Sequence, residues 1–459
     1  MYEALLLASA LLFLGTAVAF ALTRQAALYH PATLYLGFHG FVFVLRPILA
    51  HAWGFDFIYE LYDFRPSRDE KITVILGANL AMLVFVAGTV LLNRSAQPAK
   101  AHDDWEAARR RLTMPVIATA LLIGPFAIAA QLSNWGQRAQ LFDTMVRDGA
   151  TGTLVNTTGI GWFSDLGLAL APLAVLLVWL NRYRLPGWLA FGGFAVLQAG
   201  TGVRGPLVVA VLAIAFVYLM ERGARWPRRQ TIVLGLFAAF AFNQIVMDRG
   251  SSVRQVFVEE SQSRIANFRN LDPLEDMDFA NLEYFEFIVH TVPNRTGSWD
   301  YFAHNLQILT EPVPRALWKD KPVGSPVQFF SLWNHGRPIG ITLTVPGIGW
   351  MSLGYPGIAI QAMIFALIYG LLYRFLFVRS NLAPARLVYA MIAAASVIAF
   401  RDGALIAIVR TLPFYIGPFV LAFAIAKLFP PKRTRATQNA ADPLPTPAHR
   451  RSHLIQRAD

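Results

Sequence analysis

The sequence predicts an all-α polytopic membrane protein with about eleven transmembrane helices. Hydrophobic residues make up 55% of the 459 residues and charged residues only 15%, which leaves too little polar surface for a water-soluble protein of this length. Apolar runs of about 20 residues, the length that a helix needs to cross a hydrocarbon core of about 30 Å, recur along the chain. Helices must form these spans because lipid offers no partner for unpaired backbone groups.

The predicted spans fall into two blocks on either side of one long polar segment. Residues 1–247 hold eight spans and residues 346–427 hold three. The spans are residues 3–22, 34–53, 71–92, 114–132, 160–180, 187–201, 205–220, 231–247, 347–373, 386–400 and 404–427. No basic segment precedes the first span, and it is long enough to remain in the membrane, so we expect it not to be a cleaved signal peptide.

The charges of the loops predict the orientation of the chain. Alternate loops carry more than half of the 40 lysines and arginines, including Arg109-Arg110-Arg111. Because cationic loops are retained in the cytoplasm, these loops mark the inner face, with the amino terminus outside and the carboxyl terminus inside. The net charge of +12 therefore reflects topology rather than nucleic-acid binding. The basic, proline-containing tail, residues 428–459, is predicted to be disordered in the cytoplasm.

The polar segment, residues 248–345, is predicted to be one large, partly helical loop on the outer face. Its apolar spacing predicts two amphipathic helices, over residues 255–270 and 282–292, that lie on the membrane surface or cap the bundle. Near its end stands Glu311-Pro-Val-Pro-Arg-Ala-Leu-Trp-Lys-Asp-Lys-Pro322, which is rich in cations and prolines. We expect the chemistry of the protein where this loop meets the bundle.

Four arginines stand at unusual positions near the outer ends of spans. Arg46 lies in the outer half of the second span, and Arg204 lies in the short outer turn before the seventh. Arg401 begins the turn before the last span, and Arg410 is two helical turns inside that span. Guanidinium groups at membrane depth are costly, and they usually face a cavity or a partner.

These arginines allow two interpretations. Each could extend to the outer interface or pair with an acid such as Asp402 or Asp165. Alternatively, they could join the cations of the loop in a site for a phosphate-bearing ligand, because guanidinium forks bind phosphate oxygens bidentately. The loop cations are Arg315, Lys319, Lys321 and Arg337. A lipid-linked pyrophosphate would place its charge at this depth while its tail stayed in the bilayer.

Histidines and carboxylates of the outer face are the candidates for general acid–base catalysis. His335 is the first choice because the unperturbed pKa of histidine is nearest neutrality, and Asp320 and Glu286 are the carboxylate candidates. The alternative for His335 is a surface histidine without a catalytic role. Other candidates on this face are His290, His304, Glu283, Asp300 and Glu311.

Several catalytic classes lack their motifs in this chain. There is no cysteine, which excludes disulfides and thiolate metal sites. The sequence has neither a Gly-Lys-Ser/Thr phosphate loop nor a His-Glu-x-x-His zinc motif. Asp276-Met-Asp278 spells a metal- and nucleotide-sugar-binding pattern, but the soluble α/β domain that this pattern needs is missing. We therefore expect neither a metal nor a cofactor.

Three stretches of the chain resemble a known family. Pro314-Arg-Ala-Leu-Trp-Lys-Asp-Lys-Pro322 resembles the Pro-Arg-…-Lys-Pro signature near the end of the large periplasmic loop in Wzy-type O-antigen polymerases. Gly354-Tyr-Pro-Gly357 and the aliphatic span after it continue the likeness, and Thr201-Gly-Val-Arg-Gly205 is similar to a short arginine turn of that family. The family often has an acid just before the Gly-x-x-Gly step, and this chain has none there.

The resemblance implies a fold and a function. Such enzymes join oligosaccharide repeat units carried on undecaprenyl pyrophosphate, at the periplasmic face of the bacterial inner membrane, and their fold resembles the lipid-sugar (GT-C-like) glycosyltransferases. Arg315 and Lys321 match the signature, and Arg204 matches the arginine turn. The implied partners are the undecaprenyl-pyrophosphate-linked donor and acceptor glycans, membrane lipid and a chain-length regulator, without nucleic acid.

Two other functions stay open at this point. An O-antigen ligase would use the same donor but transfer the glycan to a lipid A core. A polysaccharide flippase or transporter would carry its polar residues at the membrane midplane, often in repeated halves. This chain has no internal repeat, and its polar residues concentrate toward one predicted face.

Overall fold

The computed structural model describes residues 2–94, 105–139, 145–147, 154–156, 161–230, 275, 279–313, 317–318, 320–322, 324–336 and 342–429. Helices make up most of this part of the chain, and eight of them are long and apolar enough to cross a membrane. The protein is therefore a mainly helical, multi-pass membrane protein, as the sequence predicts.

The described elements are helices with one small strand pair between them. The helices are α1 (Tyr2–Ala21), α2 (Pro31–His39), α3 (Arg46–Trp53), α4 (Phe57–Tyr62), α5 (Arg68–Leu92), α6 (Trp105–Ala139), α7 (Gly161–Leu166), α8 (Leu170–Leu180), α9 (Leu185–Thr201), α10 (Gly205–Glu221), α11 (Asn281–Thr291), α12 (Gln307–Thr310), α13 (Val345–Leu372), α14 (Ala383–Asp402) and α15 (Leu405–Leu428). The π-helical turns are Gly40–Leu45 and Tyr373–Val378, and the 3-10 turns are Gly167–Ala169, Ala303–Leu306 and Leu332–His335. Strands β1 (Met145–Arg147) and β2 (Leu154–Asn156) pair antiparallel.

The predicted spans coincide with helical residues except residues 231–247, which lie outside the described residues. The second span consists of α2 and α3, joined through a π-helical turn. Helices α9 and α10 have 17 residues each and are shorter than the other spans. The count of eleven and the orientation of the chain across the membrane stay predictions.

Contacts between loops bring the predicted inner connections together. The Leu28 amide donates to the Arg225 carbonyl at 2.9 Å, which joins the α1–α2 loop to the segment after α10. Arg374, just beyond α13, donates to the Leu92 carbonyl at the end of α5 at 3.3 Å. These loops belong to the cation-rich set, so packing and charge agree on which connections share one end of the bundle.

Helix α13 is broken near its start, and the polar segment is anchored at the break. Gly354 has φ 62° and ψ −142°, which interrupts the helix. The carbonyls of Met351 and Ser352 accept hydrogen bonds from the amides of Asp300 and Tyr301 at 2.9 Å and 3.0 Å. A broken span is tolerated where protein groups satisfy the freed backbone, and here the loop supplies them.

The turn between α14 and α15 contacts the start of α13. Gly403 has a φ of 72°, and a Cβ atom at this position would lie 1.9 Å from the Thr344 carbonyl oxygen, so only glycine fits. The Thr344 amide donates to the Arg401 carbonyl at 3.0 Å. The end of the polar segment thus packs directly on the turn that holds Arg401 and Asp402.

The second predicted loop helix is present as α11, and it packs against the bundle. Phe285 and Phe287 are both fully buried, and α11 contacts α5 and α13. A Cβ atom at Gly77 of α5 would lie 3.4 Å from the Phe285 ring, which shows how closely the two helices approach. Two positions were open for this helix, on the membrane surface or capping the bundle. The structure shows α11 packed against the bundle. The other predicted loop helix, residues 255–270, lies outside the described residues.

Candidate functional site

A cavity of about 220 Å³ lies where the polar segment meets the last two spans. Its polar lining comes from His304, Gln307, Glu311, Asp402 and Arg410. Two carboxylates, one imidazole and one guanidinium therefore face the same space. Ala404, Ile406 and Ala407 form an apolar side of the cavity at the start of α15.

Local helical geometry positions these side chains. His304, Gln307 and Glu311 stand three and four residues apart along the helical turns that begin at Ala303, so they share one face. Asp402 is the last residue of α14. Arg410 lies five residues after the start of α15, which is about 7.5 Å along the helix axis.

Arg410 pairs with an acid outside the cavity lining. Its Nε donates to Asp165 Oδ2 at 2.9 Å, and its Nη2 donates to Asp165 Oδ1 at 3.2 Å. The Arg410 side chain is 51% exposed even with this partner. Pairing with Asp165, one of the two interpretations that the sequence allows, thus holds for Arg410. The arginine nevertheless remains accessible from the cavity.

Lys321 lies beside the cavity through its contact with Glu311. Its Nζ donates to the Glu311 carboxylate and to the Glu311 carbonyl oxygen, both at 3.1 Å. The lysine side chain is mostly buried, at 8% exposure. This contact ties the segment before Pro322 to the cavity lining.

Arg401 and Arg204 lie at the same end of two packed helices. Arg401 precedes Asp402, and its charge acts on the Asp402 carboxylate. Arg204 stands just before α10, and a Cβ atom at the next residue, Gly205, would lie 3.3 Å from Ile398 of α14. Arg204 and Arg401 are not among the described residues that line the cavity.

Arg46 belongs to a different, closed cluster. Its Nε lies 2.8 Å and 2.9 Å from the two carboxylate oxygens of Glu283 on α11, and its Nη2 lies 2.8 Å from Oε1. The two side chains are only 3% and 2% exposed. The Phe55 ring covers the guanidinium, with its centroid 5.3 Å from Cζ. Arg46 therefore balances a buried carboxylate that the sequence did not identify as its partner.

Glu286, one turn after Glu283, belongs to the same closed cluster. The Tyr59 hydroxyl donates to its Oε2 at 2.5 Å, and the residue is 1% exposed. Burial raises the pKa of Glu286 to about 7, against the opposing charge of Lys71 and with a further rise from Glu283. Glu286 does not line the cavity.

The remaining predicted site residues divide into two groups. Asp320 is exposed, and His335 is half-buried at the end of a 3-10 turn; neither is among the described cavity-lining residues. A Cβ atom at Gly336, beside His335, would lie 2.8 Å from the Phe287 ring, so this turn packs on α11. Arg315, Lys319 and Arg337 lie outside the described residues.

The acid–base groups near the cavity have shifted pKa values. Burial lowers the pKa of His304 to about 4, so its ring is neutral at pH 7 and can accept a hydrogen bond. Burial raises the pKa of Asp300 to about 6, although the His304 amide donates to its carboxylate at 2.8 Å. The cavity therefore combines a cation that can bind an anion with two carboxylates and a neutral imidazole that can accept hydrogen bonds.

Sequence reasoning missed part of this arrangement. Asp402 stood in the sequence only as a possible partner of an arginine, and its place in the cavity depends on the Gly403 contact with Thr344. The sequence gives His304 and Glu311 only as two of several candidates on the outer face, and their spacing of seven residues is the signal that they share a helix side. Among the described residues, no group of three or more histidine or carboxylate side chains is arranged to hold a metal ion.

Comparisons with protein-family models, with curated proteins and with solved structures found no match to this chain.

Proposed function

We propose that this chain is a membrane glycosyltransferase that polymerises oligosaccharide repeat units carried on undecaprenyl pyrophosphate. The product would be an O-antigen or exopolysaccharide chain, made at the periplasmic face of the bacterial inner membrane. The eleven-helix arrangement, the orientation with the amino terminus outside, and the likeness to the lipid-sugar glycosyltransferase fold belong to this proposal. The structural observation that supports this proposal is the multi-pass helical bundle.

One observation carries the proposal. The cavity that holds Arg410, Asp402, Glu311 and His304 lies between the proline-rich polar segment and the start of the last span. A lipid-linked pyrophosphate needs cations at this depth, and its glycan needs a polar space above them. Arg410 lines the cavity and Lys321 lies beside it, and each contacts a carboxylate.

The proposed reaction transfers a glycan between two lipid-linked units. A hydroxyl oxygen of the acceptor sugar attacks the anomeric carbon of the donor, and the bond between that carbon and the phosphate oxygen breaks. The electron pair leaves with undecaprenyl pyrophosphate, whose growing charge is stabilised by preorganised cations, with Arg410 foremost. The hydroxyl proton passes to a carboxylate.

Asp402 is the described carboxylate that fits the role of proton acceptor best. It faces the cavity, and no described side chain forms an ion pair with it, whereas the Glu311 carboxylate accepts from Lys321. His335, Asp320 and Glu286, the acid–base candidates of the sequence, stay alternatives for this role. Of these, Glu286 would first have to leave its closed cluster.

Polymerisation of a defined undecaprenyl-pyrophosphate-linked repeat unit by purified protein tests the function directly. The wild type should produce a ladder of products with and without a chelator. We expect Arg410→Ala to reduce the rate by about 100-fold, since removal of one preorganised charge-stabilising donor has effects of this size. Arg111→Ala, an exposed arginine at the other end of the bundle, is the matched control and should retain the ladder.

Other outcomes separate the alternatives. A normal ladder from Arg410→Ala would contradict the phosphate role of the cavity. In cells, loss of long chains with single repeat units still on the lipid core marks a polymerase. Loss of all attached glycan would instead indicate an O-antigen ligase or a transporter.

A further inference from the structure

A buried glutamine of the span α13 contacts two separate parts of the chain beside the cavity. Gln361 is fully buried and lies beyond the break at Gly354. Its Oε1 accepts a hydrogen bond from Asn305 Nδ2 at 2.9 Å, and its Nε2 donates to the Gly403 carbonyl oxygen at 2.8 Å. We call these three residues the amide relay. The relay joins the polar segment to the turn between α14 and α15.

Both ends of the amide relay stand in stretches that line the cavity. Asn305 is itself buried and lies in the stretch 303–311, which supplies the polar side chains of the polar segment; we call this stretch the loop wall. Gly403 follows Asp402 in the stretch 402–407, which we call the turn wall. The relay therefore connects the two walls from behind, through a residue that belongs to neither.

The hydrogen-bonding partners determine the direction of the relay. A backbone carbonyl can only accept a hydrogen bond, so the amide nitrogen of Gln361 must face Gly403. The amide oxygen of Gln361 then faces Asn305, which must donate through Nδ2. Only a side chain that donates at one end and accepts at the other can bridge these two groups.

Other contacts at this junction each hold one part in place. The amides of Asp300 and Tyr301 bind the polar segment to the break in α13, and the Thr344 amide binds the Arg401 carbonyl of the turn. Helix α12 also contacts α15. Loss of the relay should therefore change the distance between the walls without unfolding the junction.

Burial makes this distance sensitive to the glutamine. Without the Gln361 amide, the Gly403 carbonyl and the Asn305 amide would each lose a buried hydrogen bond, and a buried polar group without its hydrogen bond is costly. The two groups can regain hydrogen bonds from water only if the walls move apart. The width of the cavity thus depends on one side chain.

We propose that Gln361 is a positioning residue that holds the loop wall against the turn wall. Its effect on catalysis rests on the proposed function, whereas its effect on the walls does not. Asp402, the proton acceptor of that reaction, belongs to the turn wall, while Arg410 is held by Asp165. Loss of the relay should therefore lower kcat, which depends on the place of Asp402, more than it raises the KM, which depends on Arg410.

The absence of cysteine allows the contact between the walls to be measured without a substrate. Gln307→Cys in the loop wall and Ile406→Cys in the turn wall place one thiol on each side of the cavity. A short bifunctional thiol reagent that fluoresces only after both of its ends react reports how closely the thiols approach. The cysteine pair is compared with and without Gln361→Met, which keeps the side-chain length but has no hydrogen-bond donor.

We expect Gln361→Met to lower the rate of cross-linking by about fivefold, the effect of one lost hydrogen bond between two elements. Ser352→Ala is the matched control, because Ser352 is also fully buried in α13 but its hydroxyl donates to the Ile348 carbonyl of the same helix. This control should retain the rate of the cysteine pair.

A second variant interrupts the relay from the loop side. Asn305→Ala should lower the rate as much as Gln361→Met, and the two changes together should lower it no further, because they remove one connection. Asn305→Ala also decides the question if Gln361→Met does not fold. Additive effects of the two changes would contradict the relay.

Two further results would overturn the proposal. An unchanged rate in Asn305→Ala and in Gln361→Met would show that the walls are held by other contacts. An equal decrease in Ser352→Ala would show that any lost polar group in α13 has this effect. Cross-linking uses no glycan, so a wild type that makes no ladder but shows the expected rates would contradict the proposed function alone.

Discussion

Two clusters at the same end of the bundle combine arginine with carboxylates, but they differ in access. In the closed cluster, Arg46 and Glu283 are 3% and 2% exposed, and protein surrounds them. At the cavity, Arg410 is 51% exposed although it contacts Asp165. Both arginines looked equally out of place in the sequence. The structure separates them by whether a ligand could reach the guanidinium.

The difference in access implies a difference in role. Burial of two opposite charges costs each of them its hydration free energy, and only close pairing between the two offsets this cost. The closed cluster also joins α3 to α11 across a long sequence separation, so it holds the polar segment on the bundle. A half-exposed pair contributes little to stability, and its arginine can exchange one anion for another.

The largest expected effect comes from breaking the closed pair. Arg46→Ala leaves the Glu283 carboxylate buried without its partner, so the free energy of unfolding should fall by about 3–5 kcal/mol. Thermal and denaturant unfolding of the purified protein in detergent measure this change. Arg65→Ala, at an exposed arginine of the same end, is the control and should change stability by less than about 0.5 kcal/mol.

A double variant sharpens the same test. Arg46→Met with Glu283→Leu replaces both charges by apolar groups of similar size, and it should recover most of the lost stability. If Arg46→Ala unfolds at the wild-type temperature, the closed cluster is not what holds α11 in place.

A smaller effect is expected from protonation of Glu286. Its pKa of about 7 in the folded protein exceeds the usual value of a glutamate, so the folded state binds more protons than the unfolded state between about pH 4.5 and pH 7. The contribution of Glu286 to the free energy of unfolding is therefore largest below about pH 4.5. It decreases as the pH rises through this window to the folded-state pKa of about 7, by about 3 kcal/mol in total. Arg46, Glu283, Lys71, Tyr59 and Tyr2 are the described charged and titratable groups around it.

Unfolding midpoints between pH 5 and pH 8 provide the measurement. The difference between the wild type and Glu286→Gln isolates the effect of this carboxyl. Other groups with shifted pKa values, such as Asp300 and His304, change the stability of both proteins equally with pH. We expect the wild type to lose stability relative to the variant as the pH rises. Parallel curves for the two proteins would show that Glu286 is ionised in both the folded and the unfolded state.

The spans were predictable because lipid requires little more than a continuous apolar run. Helices α13 and α14 lie close to their predicted bounds for this reason. Helix α11 was predicted from its apolar spacing, but Glu283 and Glu286 made one of its sides look solvated. Their partners, Arg46 and Tyr59, come from more than 200 residues away, and periodicity contains no information about such pairs.

The candidate site was predictable in place but not in composition. Arg410 and Lys321 were expected near a junction of loop and bundle, and both lie at the cavity. The position of Asp402 follows from the close approach of Gly403 to Thr344, a tertiary contact that neighbouring residues do not reveal. Arg315, one of the residues on which the resemblance to the polymerases depends, lies outside the described residues.

The smallest effect is expected at the open pair. Asp165→Asn should change the free energy of unfolding by less than about 1 kcal/mol, because a half-exposed ion pair is largely compensated by water. Under the proposed function, Asp165 competes with the substrate phosphate for Arg410. The variant should therefore lower the KM for the lipid-linked unit by about two- to threefold, which corresponds to the free energy of an exposed ion pair. An increased KM would instead show that Asp165 orients Arg410 for the substrate, and a large loss of stability would show that the two clusters do not differ in role.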